Sequence, residues 1–417
     1  MLLKNVINTG LCTACGTCVA VCPKEMITFD YENERPVASL SCKSRCSLCF
    51  KVCPGKDIPV PDLEKFIFGR ERNLRDLKEF KLGISRKSLK GYATDLKIRK
   101  NGASGGVVTA LLVYGKEMGL IDGAIVAGMD EDEPWKTVPK FATNTEEIRK
   151  AAQSKYVMVP NNLLLRETQK KEVKKIALVG CPCHIHGLRK IQLLNQPKPV
   201  AQKVEIAIGL YCGMNYPFQA TRHILSVVFG FKSLHQVKKL EYRGGPSNQD
   251  FLVEKKDGKI FSIPTEECRH IFMHMRRERC SMCFDWGADL ADLSIGDIFY
   301  PGTVKKVLYW SNITIRTRKG LEWIRKAQES GYIKTSPFDP ACIFKNYLLG
   351  NKKYGSVYKL TERRKLGLPV PNYHFPLDRE EGAVWKTDRS SSGNMVFMGR
   401  IDLDQGKERK SIPAGKD

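Results

Sequence analysis

Apolar positions along this chain recur with two periods, and the switch between them repeats after residue 100. "NGASGGVVTALLVYGKEMGLIDGAIVAG" opens on a glycine-rich turn. It continues as an apolar stripe at helical spacing, predicting a helix over 107–118, and ends in "DGAIVAG", a short apolar run that predicts a buried strand. "KKIALVGCPCHIHGLRKIQ" repeats the theme with a basic lead-in, the strand "IALVG", a turn of small and thiol residues, and a helix. "VEIAIGLYCGMN" supplies a further buried strand that ends at a cysteine, and "YPFQATRHILSVVFGF" reads as helix. "VKKLEYRGGPSNQDFLVEKKDGKIFSIPT" alternates in period two around a "KDGK" turn, which predicts a hairpin. Strand-turn-helix units of this kind imply an α/β layer architecture, α+β overall, with sites at the carboxyl ends of the strands.

Upstream, "PDLEKFIFGRERNLRDLKEFKL" follows the proline-rich entry "GKDIPVPD" and predicts one linker helix over 61–84. The last fifty or so residues, with "DRSSSGN" and "DQGKERKSIPAGKD", are polar and core-poor; 346–417 is expected as an extension, partly extended or partner-binding. The longest apolar candidate, "GASGGVVTALLVYG", is broken by glycines and predicts no membrane insertion. The start, "MLLKNVINTGLCTACG", lacks the features of a signal peptide, so a cytoplasmic location is expected.

At 417 residues and 42% hydrophobic content the chain has material for two or three cores. Its formal charge of +24 favours an anionic partner without naming one, and is equally the mark of a heat-adapted surface. Fifteen cysteines without an export signal point to reduced thiols and metal ligation rather than disulfides.

Their spacing is specific. In "CTACGTCVAVCP", Cys12, Cys15 and Cys18 follow one another at two-residue gaps, and Cys22 precedes Pro23; in "CKSRCSLCFKVCP", Cys42, Cys46 and Cys49 precede Cys53 and Pro54, with one gap wider by a residue. Three closely spaced thiolates converge on one cubane while the fourth, before the proline, reaches the other. The crossover rule then assigns Cys12, Cys15, Cys18 and Cys53 to one [4Fe-4S] cluster and Cys42, Cys46, Cys49 and Cys22 to a second. Four-thiolate zinc sites are the rival, but zinc patterns space their CxxC pairs more widely. Residues 1–60 resemble a bacterial ferredoxin with two [4Fe-4S] clusters.

Two further features lie beyond residue 100. From Gly102, "GASGGVVTALL" sets small residues and two hydroxyls at a helix start, where free amides attract phosphate; a turn with no ligand is the competing reading. Cys183 in "GCPCHIHG", with Cys268, Cys280 and Cys283, provides four thiols from two distant segments for a third [4Fe-4S] cluster or a zinc ion. Cys181 and Cys212 remain as spare thiols, Cys212 as a reserve ligand, and Cys342 reads as core. His184 and His186 read as packing or hydrogen-bonding residues.

"NGASGGVVTALL", "SKYV" at 154–157, "GCPCHIHGLRK", "LYCGMN" and "CSMCFDWGADLADLSIGDIF" occur in an order that resembles the beta subunits of coenzyme F420-reducing hydrogenases and dehydrogenases, over residues 85–345. The resemblance implies a mixed α/β flavoprotein domain after the ferredoxin-like one, carrying FAD, one [4Fe-4S] cluster and a cleft for coenzyme F420. It implies that Asn101, Ser104, Gly105, Gly106 and Thr109 hold FAD phosphates. Ser154, Lys155 and Tyr156 would lie along the flavin, and Gly296 and Asp297 would line its pocket. Cys183, Cys268, Cys280 and Cys283 would ligate the third cluster, although Cys181 stands where many relatives have a small polar residue, which leaves open which thiol of "CPC" ligates.

A flavin joins the two chemistries, because it takes a hydride and releases electrons singly. The expected activity is therefore an F420-dependent oxidoreductase subunit of a larger complex, passing electrons through three clusters to or from a partner redox subunit or ferredoxin. Arg99, Lys100, Arg276, Arg277 and Arg279 are candidates to steer the anionic coenzyme. Two alternatives stay open: a ferredoxin-dependent FAD reductase of another organic substrate, and an electron-wire subunit without a substrate site. A zinc-bearing nucleic-acid binder is set aside.

Overall fold

The computed structural model describes all residues except 40, 41, 43–45, 170, 171, 247, 300–305, 345, 346, 375–383, 390–394 and 402–417. Met1–His374 form one compact unit and Phe375–Asp417 another. The strands, in chain order, are β1 (Ile27–Asp30), β2 (Arg35–Ala38), β3 (Lys87–Ala93), β4 (Gly123–Met129), β5 (Thr137–Ala142), β6 (Ile176–Gly180), β7 (Val204–Leu210), β8 (Val237–Gly244), β9 (Asp250–Lys255), β10 (Ile260–Pro264), β11 (Leu293–Phe299), β12 (Lys306–Ile315), β13 (Ile333–Pro337), β14 (Val384–Arg389) and β15 (Met395–Ile401).

An eight-stranded sheet in the order β13-β3-β12-β11-β7-β6-β4-β5 carries the body. Its centre, β11, β7, β6 and β4, is parallel, and antiparallel strands flank it on both sides. All five residues of β6 are buried, as a strand covered on both faces requires. The helix Val107–Glu117 lays Val107, Ala110, Leu111 and Tyr114 on one face of this sheet, against Leu89, Ile313 and Ile295. Leu111 is fully enclosed, so its truncation to alanine costs about 2–5 kcal/mol. A second sheet, β10-β9-β8, packs Tyr242, Phe251 and Val253 on the helix Thr265–His274 through Cys268 and Phe272.

The expected linker helix is two helices, Val60–Phe68 and Leu77–Leu82. Gly69, at φ +76°, ends the first in a left-handed cap. The intervening chain is pinned by a buried ion network: Arg72 pairs with Glu64 at 2.7 Å and with Asp289 at 3.1 Å, and Asp289 also faces Arg316 and Lys353. Arg316 further donates to the carbonyls of Leu82 and Ile84. The segment is thus part of the body. The extension expected from 346 begins with the helix Tyr347–Lys365, which lies within the first unit. The second unit contains the antiparallel pair β14 and β15, and the rest of the expected tail lies outside the described residues.

The amino-terminal module packs directly on the body. Gly16 (φ +83°) has no room for a Cβ, which would sit 2.6 Å from the amide nitrogen of Leu163. Asn162 donates to Thr17 Oγ1 at 2.9 Å and to the His184 carbonyl at 2.8 Å, and its own N–H donates to the Cys15 carbonyl.

Candidate functional site

Each short helix of the amino-terminal module, Thr17–Ala20 and Leu48–Lys51, carries the third cysteine of its run. Burial pushes the Cys53 thiol up to about 12, and the neighbouring thiols of Cys15 and Cys12 add to the shift. Burial likewise raises Cys18, beside Cys53, Cys15 and Cys12, and raises Cys49, beside Cys22, Cys46 and Cys42. Cys12, Cys15, Cys18 and Cys53 are thus electrostatic neighbours, as Cys49 is of Cys22, Cys42, Cys46 and also Cys18.

A third thiol set stands at the carboxyl ends of the central strands. Cys181 follows β6 and caps the helix Pro182–Leu194, which also carries Cys183; Cys212 lies just past β7; Cys280 and Cys283 lie on the helix Glu278–Ser281 and the turn after it. A hydrogen bond to Cys212, added to burial, raises the Cys181 thiol. Burial raises Cys183, which faces Cys15, Cys212, Cys280 and Cys283.

Cys268 is not brought to this set. It sits with Phe272, one turn on, along the inward face of the helix Thr265–His274 in an aromatic core, and burial pushes its thiol up to about 12. Cys212, kept in reserve by the sequence reading, stands at the set instead, with Cys181 beside it. His184 and His186 are buried as expected: the His184 ring contacts the Val159 carbonyl and the Cys181 amide, and His186 pairs with Asp285 at 2.8 Å.

Among the described residues no three His, Cys, Asp or Glu side chains are arranged around a single ion. The fit of an anionic iron-sulfur group rests on charge. Arg279 is 4% exposed, and among the described residues its guanidinium hydrogen-bonds neutral groups alone: the carbonyls of Gly55 and Pro54 and the Tyr373 hydroxyl. A buried cation calls for nearby negative charge, and the thiols of Cys283 and Cys280 are its neighbours. Lys352 adds a second cation, donating to the Cys280 carbonyl.

The glycine-rich turn lies on the same edge of the sheet. Gly105 N–H donates to Ser311 Oγ on β12 at 2.9 Å, and Ser104 Oγ meets the same hydroxyl at 2.8 Å. A Cβ on Gly105 would come within 2.6 Å of the Gly91 carbonyl, so only glycine lets the turn seat between β3 and β12. Gly106 (φ +72°) then starts the helix Val107–Glu117 with no side-chain cap, leaving first-turn amides for an anion. That is the donor set a flavin nucleotide's phosphates require. Thr109 is buried within this first turn.

Asp297 on β11 pairs in register with Ser311, and both its carboxylate oxygens accept from Arg243. Arg243 Nε donates to the Asn248 carbonyl, and the Asn248 amide donates to the carbonyls of Lys100 and Gly102. Asn101 accepts a bond from Gln153. Tyr156 lies among Tyr242, Phe272 and Arg243. Arg243 and Asn248 were not foreseen; each is a single polar residue in a hairpin, and nothing local marks it.

Two expected roles change, that of Lys155 and that of the basic pair Arg277 and Arg279. Lys155, thought to face a phosphate or the flavin ring, turns its amine onto the carbonyls of Ala151, Ala152 and Gln153, and burial pulls that amine down to about 7. Gly296 faces the Tyr211 ring, where an added Cβ would lie 2.2 Å from Tyr211 Cδ2. Arg277 is bound to Glu34 at 3.0 Å and Arg279 is buried, so neither is free to steer a coenzyme. Arg99 is better placed, stacked 3.7 Å over the Tyr92 ring beside Trp310. A cleft of about 810 Å³, lined by Phe66, Arg86, Arg189 and Arg318, opens at the amino ends of the central strands, away from both thiols and turn.

The chain matches both halves of the family described as "Coenzyme F420 hydrogenase/dehydrogenase, beta subunit", the amino-terminal half over residues 88–166 and the carboxy-terminal half over 173–341, and a "4Fe-4S binding domain" over 5–28. It is 30% identical over 295 residues to the beta subunit of the coenzyme F420 hydrogenase of Methanothermobacter thermautotrophicus, covering 70% of this chain and 99% of that one. It is 34% identical to the coenzyme F420-dependent sulfite reductase of Methanocaldococcus jannaschii, over 78% of this chain but 47% of that protein. Identity is 26% to one of the subunits of the F(420)H(2) dehydrogenase of Methanosarcina mazei, over 86% and 94% of the two chains. Among solved structures, a chain of the F420-reducing [NiFe] hydrogenase complex from Methanosarcina barkeri superposes with a TM-score of 0.57 at 29% identity, covering 70% of this chain and 97% of that one.

Proposed function

Because the chain belongs to the coenzyme F420 hydrogenase/dehydrogenase beta-subunit family, we propose that it is the subunit where coenzyme F420 exchanges a hydride with FAD. In this reading three [4Fe-4S] clusters connect that exchange to a partner redox enzyme or ferredoxin, in the cytoplasm. The observation that carries the reading is the position of Cys183, which packs against the cluster holding Cys15 of the amino-terminal set and also has Cys212, Cys280 and Cys283 among its electrostatic neighbours. A continuous series of thiol sets is what a one-electron path needs. The relatives named above differ in the enzyme they serve and share the coenzyme.

FAD, when bound, supplies the conversion between a hydride and two single electrons. The chain's residues supply position and charge. The amides after Gly106 and the hydroxyls of Ser104 and Ser311 hold phosphate, and Arg243 fixes Asp297 at the same edge. Arg99 and Lys100 bring positive charge to the turn for an anionic coenzyme. Cys12, Cys15, Cys18 and Cys53 hold one cluster, and Cys22, Cys42, Cys46 and Cys49 another. Cys183, Cys280 and Cys283 hold the third together with Cys212 or Cys181. The hydride transfer itself calls for no side-chain acid or base; once the two electrons leave singly, the hydride's proton is released to solvent.

Iron, acid-labile sulfide and flavin analysis of anaerobically purified protein tests this reading. The expected result is about twelve irons with matching sulfide and a releasable FAD. Zinc without flavin would overturn it.

A further inference from the structure

The buried guanidinium of Arg279 joins the third thiol set to the first. Arg279 immediately precedes Cys280, and its Nε donates to the Gly55 carbonyl at 2.9 Å and its Nη2 to the Pro54 carbonyl at 3.2 Å, both just after Cys53. Gly55 N–H in turn lies 3.4 Å from Cys53 Sγ. One hydrogen-bonded route therefore runs from the Cys280 loop to the Cys53 thiol.

Tyr373 holds this arrangement from outside the residues that match the family, which end at 341. Its hydroxyl donates to the Met282 carbonyl at 3.0 Å, accepts from Phe284 N–H at 3.2 Å, and lies 3.4 Å from Arg279 Nη1. It thereby grips the chain on both sides of Cys283. The backbone of Asn372 and Tyr373 pairs with Lys56, Ile58 and Val60, which tethers the same grip to the amino-terminal module.

We propose that Arg279 is a positioning residue: it fixes the third cluster against the first, held in place by Tyr373, and its charge stabilises the reduced state of both. This rests on the three-cluster reading above. The transfer it serves is one electron lost at the Cys280 side and one gained at the Cys53 side, with no atom moving. A fixed cation between two centres that each gain negative charge on reduction favours reduction of both, and burial strengthens the effect. A bidentate donor on two carbonyls also holds the loops in one register, which a lysine does not reproduce.

The test is a dithionite titration of the whole, cluster-loaded chain followed by electron paramagnetic resonance, comparing wild type with R279Q, R279K and Y373F. R279Q is expected to make reduction of the third and first clusters about tenfold less favourable with iron content unchanged. R279K, which keeps the charge but not the grip on two carbonyls, is expected to restore most of that loss in reduction while weakening the magnetic coupling between the two clusters. Wild-type titration in R279Q, or equal losses in R279Q and R279K, would overturn the proposal. Should R279Q lose iron, Y373F decides: it keeps the charge and the ring, and is expected to weaken the magnetic coupling between the two clusters. Unchanged coupling in Y373F would overturn the proposal. Coenzyme F420 takes no part in this titration, so failure of the coenzyme assignment is read separately.

Discussion

Arg243 on β8 holds both carboxylate oxygens of Asp297 on β11, at 3.0 and 3.1 Å, and so fastens the three-stranded sheet to the carboxyl end of a central strand of the eight-stranded one. The guanidinium side chain is 3% exposed. Removing the carboxylate leaves a buried cation without its partner, so Asp297→Ala is expected to lower the unfolding free energy by about 3–5 kcal/mol. Urea unfolding measures this. A loss below about 1 kcal/mol would show that the pair does not secure the two sheets.

Gly105 seats the phosphate turn through its missing side chain. An alanine there meets the Gly91 carbonyl and the Ser311 nitrogen, both backbone atoms that cannot swing aside. Gly105→Ala is expected to destabilise by about 1–3 kcal/mol and to purify with less FAD than wild type. Gly355, in the helix Tyr347–Lys365 with nothing within 4 Å of an added Cβ, is the control. Gly355→Ala is expected to stabilise by up to about 1 kcal/mol and to leave flavin content unchanged.

Cys268 separates the two readings of the third set, and Cys183, common to both, is its control. Cys183 faces thiols of two sets, whereas Cys268 faces an aromatic core. Cys183→Ser is expected to lose about four irons per chain and Cys268→Ser none. Iron analysis decides it: loss of about four irons in both variants would restore the ligand set expected from the sequence, which contains both thiols.

The contrast shows what was legible in the chain. The strand "IALVG" and the helix after it, or the hairpin around "KDGK", declare themselves because their period lies in adjacent residues; the structure has them at β6, at Pro182–Leu194 and at β9–β10. The amino-terminal thiol runs are local in the same way. The third set draws on three separate segments, and there the CxxC of Cys280 and Cys283 was visible. Cys212 read only as a spare, and Cys268 was grouped by nearness along the chain although its helix turns it inward. The linker helix failed at Gly69, whose left-handed cap and the buried Arg72 beyond it break the helical stripe. Arg243, Asn248 and Tyr373 acquire their roles only from what the fold sets beside them.

Glu34 predicts a pH dependence. It accepts from Phe218 N–H at 2.7 Å and pairs with Arg277, fastening the amino-terminal hairpin to the body. Burial outweighs both partners and raises its carboxyl above the usual range. The native state therefore holds this proton to higher pH than the unfolded chain does. The stability gained is complete below the unfolded value of about 4.3 and is lost as pH rises through the raised native value. The margin of wild type over Glu34→Gln is expected to shrink from mild acid to neutral pH in unfolding measurements. A margin that grows over that range would contradict it.

The central claim is that hydride chemistry at one edge of the sheet is joined to single-electron chemistry in the thiol sets. Anaerobic mixing of the flavin- and cluster-loaded chain with reduced coenzyme F420 tests it most directly, following deazaflavin absorbance and paramagnetic cluster signals together. The account predicts that oxidised coenzyme and reduced clusters appear together, with about two electrons stored for each coenzyme oxidised. Coenzyme oxidation no faster than with flavin-free protein, or oxidation with no cluster signal, would contradict it.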